Sequence, residues 1–260
     1  MHHETGHEPV DPLGTASDVV WSTEPPRLRR PVLVAAFEGW NDAGDAATIA
    51  ARHLIDRAEA VTIAEIDAEH YHDFSVTRPL MRLVDGERSI VWPVTRILAG
   101  RLDDTDRDLV VVTGIEPQLR WKRFCRQVLS VAEALGVARV ITLGALLADV
   151  PHSRPVDVSG TTDDDELRAE LDLTPSTYEG PTGIVGVLTA ACRDAGLPTA
   201  SFWAAVPGYV PGAPSPKAAL ALLERVARAI GTRVSAPDLE IASGVYERQI
   251  DELVAEDDDT

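Results

Sequence analysis

The polar side chains best suited to chemistry stand where predicted strands end or predicted helices begin. We predict one ligand or partner cluster from them: Glu38, Gly39, Trp40, Asn41, Asp42, Glu116, His152, Arg154, Tyr178, Thr182 and Lys217. Two carboxylates with a histidine and an arginine can bind or process a small polar ligand. The carboxyl ends of parallel strands meet at one edge of a sheet. We therefore expect Glu38, Trp40, Glu116, His152 and Arg154 to line one depression there.

The same residues also have a purely structural interpretation. Trp40 would cover the sheet edge, and Asn41 or Asp42 would cap the helix that follows. Arg154 lies in the stiff segment Val150-Pro151-His152-Ser153-Arg154-Pro155, and it would neutralise Glu38 or Glu116. Alternatively, its planar guanidinium would bind the anionic group of a ligand. An internal pair is favoured, and its loss would destabilise the fold by about 3–5 kcal/mol.

Buried strands alternate with amphipathic helices along the chain. The predicted strands are 32–37, 61–66, 109–113, 137–143 and 199–206, and the predicted helices follow Asp42, Pro117, Gly183, Ser215 and Pro237, with a short acidic one near 163–166. Two further runs, 80–84 and 88–94, flank Asp85-Gly86, which predicts a tight hairpin. This alternation predicts an α/β fold with a mostly parallel sheet covered by helices on both faces.

The predicted organisation is one domain over residues 31–255. Residues 1–30 lack any hydrophobic period and predict a mobile arm, and residues 256–260 form an acidic tail.

Composition limits the classes of function. The chain has 260 residues and a formal net charge of -18. Such a charge argues against nucleic acid and against an anionic membrane surface as partners. No secretory signal or membrane-spanning run is found, and Cys125 and Cys192 are predicted as buried, reduced thiols. We therefore expect a cytoplasmic protein.

Recognised catalytic motifs are absent. The sequence has no Gly-x-Ser-x-Gly, no Gly-x-x-x-x-Gly-Lys-Ser/Thr and no Gly-x-Gly-x-x-Gly. His70 and His72 lack a third zinc ligand, and the adjacent carboxylates of 163–166 point in different directions on a helix. We predict no cofactor and no metal, and we assign no catalytic residue.

Several unusual segments follow one another along the chain in a defined order. They are Phe37-x-Gly39-Trp40-x-Asp42-Ala43-Gly44-x-Ala46-Ala47, Gly114-x-Glu116-Pro117 with Trp121 and Phe124, Gly144-Ala145, Val150-Pro151-His152-x-Arg154-Pro155, Tyr178-x-Gly180-Pro181-Thr182-Gly183-Ile184 and Ser215-Pro216-Lys217-Ala218. Together they resemble the PAC2 family, the proteasome assembly chaperone 2-like proteins, of the bacterial type. The resemblance covers roughly residues 31–231.

The resemblance implies a three-layer α/β/α fold similar to purine nucleoside phosphorylases, a homo-oligomer and kinship with chaperones of proteasome α-rings. One departure is the end of the chain, Asp258-Asp259-Thr260, where docking chaperones of the family carry a hydrophobic-Tyr-x tail. Two hypotheses follow. The first is a non-enzymatic interaction or assembly protein whose partners are itself and proteasome-related subunits. The second is a small-molecule enzyme of phosphorylase- or hydrolase-like fold that uses the strand-end loops.

Overall fold

The structure is a computed structural model that describes residues 17–210 and 212–258. Its strands are β1 (Val19–Trp21), β2 (Val32–Glu38), β3 (Val61–Ile66), β4 (Leu80–Val84), β5 (Glu87–Val91), β6 (Thr95–Arg101), β7 (Asp108–Ile115), β8 (Arg139–Ala148), β9 (Val158–Thr162) and β10 (Thr199–Pro207). Its helices are α1 (Ala46–Arg57), α2 (Trp121–Ala134), α3 (Asp165–Leu171), α4 (Ile184–Asp194), α5 (Pro216–Ile230) and α6 (Pro237–Asp258), and a 3-10 turn (Ala43–Asp45) precedes α1.

Eight strands form one central sheet in the order β1-β3-β6-β7-β2-β8-β10-β9. The four central strands, β7, β2, β8 and β10, are parallel neighbours. The pairs on either side are antiparallel, so β3 also runs with the central four, while β1, β6 and β9 run against them. Five of the eight strands thus share one direction, in agreement with the predicted mostly parallel sheet.

Alternation along the buried strands divides the core into two halves. On β2, Val32 and Val34 pack with α1, α5 and the start of α6, whereas Leu33, Ala35 and Phe37 pack with α2 and α4. All five side chains are fully buried or nearly so, which a strand covered on both faces requires. Helices therefore cover both faces of the sheet.

The hairpin stands apart from this sheet. β4 and β5 pair only with each other among the described strands, in the register Leu80↔Val91 to Val84↔Glu87. Asp85 and Gly86 both have positive φ, as a type I′ turn needs. The hairpin predicted around Asp85-Gly86 is confirmed.

The N-terminal segment differs from the predicted mobile arm. Val19–Trp21 pairs with β3 at the sheet edge, and the Asp18 carboxylate accepts two hydrogen bonds from the Arg123 guanidinium, both at 2.7 Å. Arg29 is similarly tied to the buried Asp108 carboxylate at 2.6 Å. Residues 17–30 therefore belong to the folded domain, and the rest of the predicted arm lies outside the described residues.

The last helix also extends further than predicted. It continues to Asp258, three residues into the predicted acidic tail, and residues 259–260 lie outside the described part. Within the described residues, no helix combines the length and the apolar character needed to cross a bilayer.

Candidate functional site

The predicted site residues all lie near the carboxyl ends of the central strands, but they form two clusters. The Asn41–Glu116 cluster comprises Asn41, Glu116, Gly183 and the first residue of α4. The His152–Lys217 cluster comprises His152, Tyr209, Lys217, Glu247 and Asp251, around α5 and α6. Since α4 and α5 cover opposite faces of the sheet, the residues are not brought into one depression.

Glu116 connects two loops in the first cluster. Its Oε1 accepts hydrogen bonds from the Asn41 Nδ2 at 2.6 Å and from the Ile184 backbone N–H at 2.8 Å. The second bond satisfies a free N–H group at the start of α4, where a carboxylate is favoured by the helix dipole. Glu116, which directly follows β7, therefore caps the start of α4.

Gly183 lies so close to the Asn41–Glu116 pair that there is no room for a side chain. A Cβ at this position would lie 2.4 Å from the Asn41 Oδ1 and 2.7 Å from the Glu116 Oε1. No real Cβ tolerates such contacts, so the loop can approach the pair only with glycine here. The Asn41 carbonyl also accepts a hydrogen bond from Ala145 at 2.8 Å, which fixes the turn to β8.

Asp42 is a second cap. Its Oδ1 accepts a hydrogen bond from the Ala47 N–H at 2.6 Å, and its Oδ2 accepts one from the Thr48 hydroxyl. Burial raises the pKa of Asp42 to about 6, although these hydrogen bonds to Thr48 and Ala47 favour the charged form. The predicted capping by Asp42 is thus observed, and it reaches past the 3-10 turn to α1.

The remaining residues of this region are more exposed. Glu38 ends β2 in solvent, and its carbonyl accepts the Glu116 N–H at 2.8 Å. Trp40 is 66% exposed and Tyr178 is 68% exposed, so neither covers the sheet edge as a packed residue would. Thr182 is exposed beside Gly183, and Gly39 takes a φ of 126° that allows the turn.

The second cluster ties α6 to the loop after β8. The His152 Nδ1 lies 2.6 Å from the Tyr209 hydroxyl, and its Nε2 lies 2.8 Å from the Asp251 carboxylate on α6. The Lys217 ammonium donates to the His152 and Arg154 carbonyls at 2.6 and 2.7 Å and also to the Glu247 carboxylate. Sequence reasoning missed Tyr209, Glu247 and Asp251, because only tertiary packing brings them here.

Arg154 does not form the expected internal pair. Its side chain is exposed, and among the described residues no carboxylate lies within ion-pair distance of it. Glu116 faces α4 instead, as described above. The prediction that Arg154 neutralises Glu38 or Glu116 is therefore wrong.

One cavity lies at the His152–Lys217 cluster, and a second lies far from both clusters. One of about 90 Å³ lies between the 150–157 loop, the start of α5 and α6, and it includes His152, Arg154 and Lys217 among its lining. A larger one of about 180 Å³ lies at the opposite end of β10, between β9 and the end of α4, and includes none of the predicted site residues.

Neither thiol is poised for nucleophilic chemistry. Burial raises the pKa of Cys125 to about 12 and that of Cys192 to about 11, so both are protonated at neutral pH. Within the described part of the chain, no three or more His, Cys, Asp or Glu side chains are grouped to hold a metal ion. The polar groups of both clusters mainly join neighbouring elements.

These features define a three-layer α/β protein whose strand-end loops are joined by caps and ion pairs. The sequence pattern of the PAC2 family matches residues 36–254. The chain belongs to the PAC2 family, as its motifs predict.

Solved structures give the same result. A PAC2 family protein from Streptomyces avermitilis is 50% identical, with a TM-score of 0.83, and the match covers 86% of this chain and 95% of that one. A Mycobacterium tuberculosis proteasome-assembly chaperone homologue is 49% identical, with a TM-score of 0.80 and coverage of 86% and 96%. PbaB of Pyrococcus furiosus, an archaeal proteasome activator, is 19% identical at a TM-score of 0.73, with coverage of 90% and 97%, and shows the fold alone. A comparison with curated proteins gives no match.

Proposed function

We propose that this chain is a non-enzymatic interaction or assembly protein that acts as a homo-oligomer in the cytoplasm. Glu116 and Asp42 cap helices, and His152 and Lys217 bind carboxylates of α6. The polar groups of both clusters therefore have structural roles. The Mycobacterium relative, described as a proteasome-assembly chaperone homologue, supports a protein partner, with proteasome-related subunits as candidates. A phosphorylase-like arrangement of the layers stays a prediction.

The exposed hairpin is the observation that best supports a homo-oligomer. Seven large apolar side chains on or beside it are between 36% and 74% exposed: Leu80, Met81, Leu83, Val84, Ile90, Val91 and Trp92. They occupy both faces of the hairpin, whereas an ordinary surface strand alternates apolar and polar residues. Exposed apolar side chains grouped in this way are typical of a protein interface.

A second copy of the chain is the occupant that fits the hairpin best. A two-stranded hairpin alone is marginally stable in water, so it needs a partner as soon as the chain folds. A second copy is present at that moment, and it also offers the unpaired outer edges of its own β4 and β5. Burying the exposed half or so of each such side chain contributes about 1 kcal/mol, and several together oppose the repulsion between chains of net charge -18.

Light scattering of two matched variants tests this proposal. Leu83 on the hairpin is 74% exposed, and Ile241 on α6 is 70% exposed. We expect Leu83→Ser to shift an oligomer towards monomer at micromolar concentration, and Ile241→Ser to leave its mass unchanged. A wild-type protein that is monomeric throughout contradicts the oligomer, and dissociation by Ile241→Ser alone assigns the interface to α6.

The partner class needs a separate experiment. Purified proteasome α-subunits are mixed with the wild-type protein and with Leu83→Ser, and the complexes are separated by size. We expect wild-type protein to co-elute with α-subunits or with their assembly intermediates. An absence of any complex, with both components folded, counts against proteasome-related partners while leaving the homo-oligomer intact.

A further inference from the structure

The cavity beneath α6 is lined by the loop after β8, the end of β10, the start of α5 and α6. Its lining includes Arg154 and Asp157 from the loop after β8, Ser215 and Lys217 from the start of α5, and Tyr246 from α6. Its volume of about 90 Å³ is several times the roughly 10–15 Å³ that one water needs on this measure. There is room for a group of a few non-hydrogen atoms.

One wall of this cavity carries an unpaired donor. Tyr246 is only 7% exposed, and its hydroxyl has no hydrogen-bond partner among the described residues. Burial raises the pKa of Tyr246, so the hydroxyl remains protonated at neutral pH, and the Ser215 hydroxyl close to it opposes that rise. Buried hydroxyls are nearly always paired, which indicates that an acceptor belongs at this position.

A second buried hydroxyl lines the same cavity. Ser215 is 1% exposed and caps α5 by accepting the Ala218 N–H at 3.3 Å. The cap uses an oxygen lone pair and leaves the Ser215 O–H available as a donor. The α5 helix of 15 residues also directs the positive end of its dipole to this point.

One cation in the lining of the cavity lacks a carboxylate partner within the described part of the chain. Lys217 is already paired with Glu247, but the Arg154 guanidinium has no carboxylate partner among the described residues. Asp157 adds a negative group to the lining, which disfavours a doubly charged ligand. Arg154 has the planar fork that matches a carboxylate.

From these observations we propose that the cavity beneath α6 binds the carboxylate of a small organic acid. The Tyr246 and Ser215 hydroxyls donate to its oxygens, and Arg154 at the loop balances its charge. This site goes beyond the proposed assembly function and does not depend on it, because the hairpin forms no part of the cavity. In this proposal Arg154 binds a ligand anion, which is the alternative to the internal ion pair that the structure lacks among its described residues.

Thermal unfolding with defined anions tests the site. Acetate and propionate serve as probes, with chloride and inorganic phosphate at matched ionic strength as comparisons. We expect the two carboxylates to raise the melting temperature in a saturable way, since a ligand that binds only the folded state stabilises it. Chloride and phosphate should give no such increase.

Two variants locate the effect, and a third is the matched control. Tyr246→Phe removes only the orphan hydroxyl, and Arg154→Gln removes the charge; each should weaken acetate binding at least tenfold by calorimetry. Tyr178→Phe removes the same atom from an exposed tyrosine that donates to Pro181, and it should bind acetate as wild type does. Equal stabilisation by phosphate, or unchanged acetate binding by Tyr246→Phe, would overturn the carboxylate site.

Discussion

Two carboxylates at the strand ends have the same role, since each caps the start of a helix. Glu116 and Asp42 each accept a backbone N–H at the start of a helix, from Ile184 and Ala47. A negative group there satisfies donors that the helix itself cannot pair and interacts favourably with its dipole. The two residues differ in solvation, because Asp42 is buried and Glu116 is only partly so. Burial raises the pKa of Asp42, which therefore links the stability of the fold to pH.

Asp42→Asn tests that link. The folded-state pKa of Asp42 is raised from 3.8 to about 6, so between these values the folded state holds more protons than the unfolded state. The wild-type free energy of unfolding should therefore fall as pH rises from about 4 to 7, by about 3 kcal/mol from this group. Asn cannot titrate, so Asp42→Asn should lack this part of the dependence.

Urea unfolding of both proteins across this pH range measures the difference. The free energy of the variant minus that of wild type should increase towards neutral pH. Parallel profiles would show that Asp42 is ionised with an ordinary pKa in the folded protein.

Arg154→Met tests the absence of an internal ion pair. Because the side chain is exposed and no described carboxylate pairs with it, the substitution should change the free energy of unfolding by no more than about 0.5 kcal/mol. Chemical denaturation in buffer without organic acids gives this value. A loss of about 3 kcal/mol or more would mean that Arg154 neutralises a buried carboxylate after all.

At the scale of elements, the junction between β2, β7 and α4 requires glycine at position 183. The Asn41–Glu116 pair occupies the space that a Cβ of residue 183 would need. Gly183→Ala should therefore displace the pair, uncap α4 and lower the free energy of unfolding by about 1–3 kcal/mol. The comparison is Gly244→Ala within α6, where a Cβ meets nothing within 4 Å.

Gly244→Ala should raise stability by up to about 1 kcal/mol, because alanine favours a helix interior. Opposite signs for the two substitutions, measured by the same urea titration, would support the junction. If both stabilise the protein, the close approach at Gly183 is relieved by a small shift of the loop.

The elements that could be predicted from sequence are those with a local signal. The buried strands β2, β7, β8 and β10 are continuous apolar runs, and α2, α4 and α5 show one apolar face. β9 is Val-Ser-Gly-Thr-Thr at a sheet edge, and β1 has three residues, so both are specified by pairing with β10 and β3 rather than by their composition. β6, at Thr95–Arg101, alternates buried and more exposed residues in the sheet, but its residue types do not alternate in the same way, and it lies outside the predicted strands.

The candidate site shows the same division. Asp42 could be predicted as a cap because its partner helix is adjacent in sequence. His152 contacts Tyr209 and Asp251, which are 57 and 99 residues away, and these contacts depend on how α6 packs against α5. No single-sequence pattern specifies such distances. The prediction that Glu38, Trp40, Glu116, His152 and Arg154 line one depression failed for this reason. Neighbouring loops at one sheet edge turn to opposite faces.

At the scale of the whole molecule, the protein consists of a closed body and a projecting hairpin. The body buries its apolar residues in two cores on either side of the sheet. The hairpin leaves most of its apolar residues exposed and contributes none to either core. We therefore expect stability to depend on the body and the proposed association to depend on the hairpin.

Deletion of the hairpin should separate the two properties. Leu80 and Val91 are paired at its base, so a short Gly-Ser-Gly linker can replace residues 80–91 without moving the flanking chain. Because the hairpin adds nothing to the cores, the shortened protein should unfold cooperatively, with a free energy within about 1 kcal/mol of that of a monomeric Leu83→Ser variant. It should be monomeric in light scattering, and acetate should still raise its melting temperature, since the cavity beneath α6 is intact. A shortened protein that remains oligomeric would move the interface to another surface, and one that fails to fold would show that the body needs the hairpin.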